Sequence, residues 1–72
     1  MNWAIVLKRL RNELLLSQAE MAILLGVSFA SINRWENGHH EPTIKVKRQI
    51  KKLCKKNKIN FNSYMKEGET NA

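Results

Sequence analysis

Residues 17–38 read SQAEMAILLGVSFASINRWENG, and this stretch decides the fold. Ser17 followed three residues later by Glu20 is a capping box, in which hydroxyl and carboxylate each satisfy a free backbone N–H at a helix start. Met21, Ala22, Leu24 and Leu25 carry that helix to Gly26, whose missing side chain permits the left-handed backbone that ends it. Ser28 is the next N-cap. After it Ile32 and Trp35 stand three apart on one side, while Phe29, Ala30, Asn33, Arg34 and Asn37 fall largely elsewhere. Asn37 and Gly38 close this second helix. Two capped helices joined by Gly26-Val27-Ser28 need a small residue where they cross, a flexible one at the bend and an apolar plug in the angle. Ala22, Gly26 and Val27 supply all three.

Outward from this pair, Trp3, Val6, Leu7, Leu10 and Leu14 recur at spacings of three and four, which predicts a first helix over Trp3 to Leu14. Lys8, Arg9 and Asn12 fall on its outer side, whereas Arg11 lies beside the apolar stripe and turns inward if an acid awaits it. On the other flank His39 to Pro42 form a loop, and Thr43 caps a fourth helix with Val46, Ile50, Leu53 and Cys54 inward. Ile59, Phe61, Tyr64 and Met65 fit a final helical turn or two before a polar tail. No apolar and polar alternation is long enough for a strand. The expected fold is all-α, a compact bundle of four to five short helices: one domain over residues 1–66 and a flexible tail over residues 67–72.

Seventy-two residues suit a single small domain, and a lone cysteine forms no internal disulfide, so packing or dimerisation must stabilise it. No apolar run approaches a membrane span, and residues 1–16 mix basic and acidic side chains, unlike a signal peptide; a cytoplasmic protein is expected. Thirteen Lys+Arg against six Asp+Glu give a net charge of +7. Most of the excess is Lys45, Lys47, Arg48, Lys51, Lys52, Lys55, Lys56 and Lys58, in a segment without an acid. Such a field favours polyanions, chiefly nucleic acid or an anionic membrane surface, through counterion release and long-range attraction. The apolar face of the fourth helix, however, is needed by the core of so small a domain and not by a membrane. Catalysis is not expected: there is no nucleophile with a base, no paired carboxylates near a histidine and no phosphate-cradling glycine loop. No metal or cofactor is expected either. His39 and His40 adjoin on a loop, Cys54 lies on an apolar stripe, and zinc needs three or four suitably spaced ligands.

Leu16, Gln18, Ala22, Leu25, Gly26, Val27, Ser28, Ile32, Trp35 and the string Glu36-Asn37-Gly38, followed by Pro42-Thr43, resemble the Cro and CI repressor class of helix-turn-helix proteins, the XRE family. The resemblance spans about Leu7 to Leu53. It implies a lambda-repressor-like bundle whose third helix, about residues 28–37, enters the major groove of double-stranded DNA, usually as a homodimer on a near-palindromic operator. It implies base reading by Phe29, Ala30, Asn33 and Arg34, where Arg34 suits guanine, Asn33 adenine or a phosphate, and Ala30 a thymine methyl. Phe29 departs from the polar residue common at its position. Gln18, Ser28, Asn37, His39 and Lys45 are the implied phosphate contacts. Glu36 is expected to pair with Arg11 of the first helix, because a partly buried carboxylate needs a donor and guanidinium offers two prongs. Trp3 and Trp35 are expected in the core. The resemblance also admits an antitoxin with a toxin partner, for which Phe61, Tyr64 and Met65 are the candidate surface, or a DNA-targeting module of a larger enzyme.

Overall fold

The apolar spacing of the N-terminal segment forms α1, Trp3–Glu13, which buries Trp3, Val6, Leu7 and Leu10. The computed structural model describes residues 3–64, so Met65 and the expected tail lie outside the described residues. The helix stops one residue before the expected Leu14, which still donates to the Leu10 carbonyl at 3.0 Å but belongs to the turn. The cause is Leu15, whose φ of 58° is left-handed without being glycine. Two reciprocal bonds hold that corner: the Leu16 N–H donates to the Arg11 carbonyl at 3.1 Å, and Arg11 Nη1 donates to the Leu16 carbonyl at 2.9 Å.

Helix α2, Gln18–Leu25, starts on the capping box: Ser17 Oγ accepts from the Glu20 N–H and Glu20 Oε1 accepts from the Ser17 N–H. These bonds hold the Glu20 carboxyl below the usual carboxylate range. Gly26 ends α2 at φ 71°, and no heavy atom lies within 4 Å of where its Cβ would be. The glycine therefore serves backbone conformation, not close approach. Helix α3, Phe29–Glu36, begins at Ser28, whose hydroxyl accepts from the Ser31 N–H, and Gly38 at φ 79° completes its end. Thr43 caps α4, Ile44–Lys56, through the Val46 N–H.

One core joins the four helices: Val6, Leu7 and Leu10 of α1, Met21, Ala22 and Leu25 of α2, Ile32 and Trp35 of α3, and Val46, Ile50 and Cys54 of α4. Val27 is packed against that core at the bend between α2 and α3, and Leu53, expected inward, is only partly buried. A helical turn over residues 61–64 closes the bundle, with Asn60 Oδ1 accepting from the Ser63 N–H at 3.1 Å. Tyr64 is buried there and Phe61 packs on Trp3, ring centroids 5.5 Å apart. Tyr64 thus belongs to the core, and Phe61 packs against it partly buried. None of the helices is long and apolar enough to cross a membrane, among the described residues.

Candidate nucleic-acid interface

Helix α3 has two opposed sides. Ile32 and Trp35 point into the core, and that burial fixes the rotation of the whole helix. The helical repeat then places Phe29, Asn33 and Asn37 in one outer row and Ala30 and Arg34 in the next, and all five are exposed. Phe29 is 53 % exposed, a large apolar side chain held in water. The Arg34 side chain makes no hydrogen bond or ion pair among the described residues, so its planar fork is available to a ligand.

Behind this surface stands the ion pair. Arg11 Nε donates to Glu36 Oε2 at 2.7 Å and Nη2 to Oε1 at 3.0 Å, a two-pronged geometry with the side chains 15 % and 3 % exposed. Hydrogen bonding to Glu36 raises the already high pKa of Arg11. The pair ties the end of α3 to the end of α1.

Gln18, at the first position of α2, also reaches this carboxylate: its Nε2 donates to Glu36 Oε1 at 3.1 Å. Asn33 Nδ2 donates to Gln18 Oε1 at 3.3 Å, and Asn37 Nδ2 donates to Asn33 Oδ1 at 3.1 Å. The structure thus brings Arg11, Glu36, Gln18, Asn33 and Asn37 into one chain of bonds. Sequence reasoning missed this chain beyond its Arg11–Glu36 link. The i, i+4 spacing of Asn33 and Asn37 was a readable signal for one further link, whereas the Gln18 bonds join residues far apart in sequence.

The other expected contacts lie outside the network. Ser28 Oγ accepts from Ser31 N–H at 3.1 Å and donates to Ser31 Oγ at 3.0 Å, so its hydroxyl is already engaged as a cap. His39 and Lys45 are exposed on either side of the loop from α3 to α4 and make no bond to the amide chain. Lys47 is drawn away to Glu41, Nζ to Oε1 2.7 Å, and holds that carboxyl below its ordinary pKa. Lys45, Arg48, Lys51, Lys52, Lys55 and Lys56 remain exposed, giving α4 a basic outer half.

Cys54 is buried, and desolvation pushes its thiol pKa up, the reverse of what a reactive cysteine or metal ligand requires. No group of three His, Cys, Asp or Glu placed to hold a metal ion occurs among the described residues. The outer side of α3 thus offers hydrogen-bond donors, acceptors, an apolar ring and a positive charge on one exposed surface.

Neither a curated protein nor a solved structure matches the chain. A comparison with protein families matches residues 7–57, most of the chain, to the family described as Helix-turn-helix. With α2 and α3 capped, Ala22 buried in the shared core and the backbone turned at Gly26, the chain belongs to the XRE-type helix-turn-helix family of DNA-binding domains.

Proposed function

We propose that the chain is a sequence-specific regulator of transcription, a homodimeric repressor that lays α3 in the major groove of a near-palindromic operator in the cytoplasm. The observation that carries this reading is the outer side of α3, where Phe29, Asn33, Ala30 and Arg34 stand exposed on a helix locked by Ile32 and Trp35. In this reading Arg34 bonds guanine O6 and N7, Asn33 bonds adenine, Ala30 touches a thymine methyl, and Phe29 covers a methyl or sugar edge. Gln18, Asn37, His39 and Lys45 hold phosphates on either side. Ser28 joins them when its proton leaves Ser31, or through its backbone N–H at the helix start. The exposed lysines of α4 add attraction without sequence preference.

Selection of binding sites from random duplexes at near-physiological salt, with the mass of the complex on the best site, tests this. The expected result is an inverted repeat bound by two chains, with half-sites about one helical turn apart. A lone half-site bound by one chain overturns the homodimer and favours a DNA-targeting module. Binding without base preference overturns sequence reading altogether.

A further inference from the structure

The chain of amides ending on Glu36 has a polarity, and one charge sets it. A carboxylate only accepts hydrogen bonds, so the end of the Gln18 amide that faces Glu36 is its NH2, at 3.1 Å. Gln18 Oε1 is then turned to the opposite side, where only a donor satisfies it, and Asn33 presents its NH2 at 3.3 Å. Asn33 Oδ1 is in turn committed to the NH2 of Asn37 at 3.1 Å. An asparagine with no such anchor rotates by half a turn and exchanges donor for acceptor. This one does not.

A side-chain amide carries two N–H donors and two acceptor lone pairs. The network takes one of each from Asn33 and leaves one N–H and one lone pair. That remainder is the complement of the major-groove edge of adenine, an acceptor at N7 beside a donor at N6, and not of guanine, which offers two acceptors. Gln18 and Asn37 each keep one N–H, enough for a phosphate oxygen. The same bonds that fix the reading amide therefore leave its neighbours free to hold the backbone.

We propose that Glu36 is a positioning residue for base recognition: acting through Gln18, it fixes the orientation of the Asn33 amide and so makes adenine the preferred base at one position of the site. The inference rests on the DNA-reading function proposed above and names how that surface selects a base. Arg11 fastens the carboxylate from the opposite side.

Gln18→Met tests it, because methionine nearly matches the length of glutamine, breaks the relay in its middle and leaves the Arg11–Glu36 pair in place. Two measurements are made. In the free protein, the side-chain NH2 resonances of Asn33 in 15N–1H spectra shift in the variant, as its acceptor has gone. On DNA, affinity falls for every site as a phosphate contact is lost, and the preference for adenine over guanine drops by about tenfold or more at one base pair. Asn33→Ala identifies that base pair, since it flattens the same position. Should Gln18→Met fold poorly, Gln18→Ala, a good helix former that also spares the ion pair, goes through both measurements. A variant that binds more weakly yet keeps every base preference of the wild type overturns the relay and leaves the DNA-reading proposal standing. A wild-type chain with no base preference overturns that proposal and the relay with it.

Discussion

At the scale of single residues, Arg11 stands out because it serves two ends. Its guanidinium reaches Glu36 with two nitrogens and the Leu16 carbonyl with a third, so it fastens α3 to α1 and fixes the corner where α1 becomes α2. Glu36 is 3 % exposed, and removing one member of such a pair leaves a buried charge short of its partner. Arg11→Met is expected to cost about 3 kcal/mol, most of what a domain this small possesses, and a urea melt measures it. An unchanged midpoint would show that Gln18 alone suffices for the carboxylate. Glu20 differs in being fully exposed, and its effect is read through pH. Its folded-state pKa lies below the ordinary 4.5, so its contribution is present above that value and disappears as pH falls through the lower one. Glu20→Gln keeps the capping geometry and loses the charge. The gap in thermal midpoint between wild type and Glu20→Gln is therefore expected to close as pH falls from above 4.5 through the lowered folded-state value, and a constant gap would refute that account.

At the scale of the elements, helix ends were more legible than helix contacts. Ser17 with Glu20, Ser28 and Thr43 announce three helix starts, because a side-chain oxygen that satisfies a backbone N–H is a local device whose partners lie within three residues. Gly26 announces a stop for the same reason, and its requirement is testable. With φ at 71° and open space around the absent Cβ, Gly26→Ala suffers backbone strain alone, about 1–2 kcal/mol, whereas Gly26→Asn costs less because asparagine tolerates the left-handed region. Equal melting temperatures for the two variants would show the turn adapting. The end of α1 was less legible, since Leu15 takes a left-handed conformation that leucine does not advertise; Arg11 and Leu16 hold it there. The surface of α3 was legible as a set of residue positions. The amide chain across it was not, because Gln18, Asn33 and Glu36 come from two helices and meet only once the core has set the angle between them. Phe61 and Tyr64 were ambiguous on similar grounds: an aromatic near a chain end suits a core or a partner equally until the bundle has left room for it.

At the scale of the whole molecule, charge and recognition occupy different places. Of the side chains proposed to read bases only Arg34 is charged, while the exposed lysines crowd along α4, whose 13 residues span about 20 Å. A triple variant, Lys52→Ala, Lys55→Ala and Lys56→Ala, is expected to slow association with DNA and to flatten the dependence of affinity on salt, with base preference unchanged. An altered preference would mean that α4 also reads sequence. The same helix carries Cys54, the sole cysteine, buried at 1 % exposure with its thiol pKa raised by desolvation. A bulky aromatic disulfide reagent reaches that sulfur only when the packing over it opens, by residues 59–64 lifting from α4 or by the chain unfolding altogether. Each absorbing thiolate released thus counts one opening event. The protein carries an internal clock for its own breathing, one expected to run faster in Arg11→Met and slower on bound DNA, and it needs no engineered label.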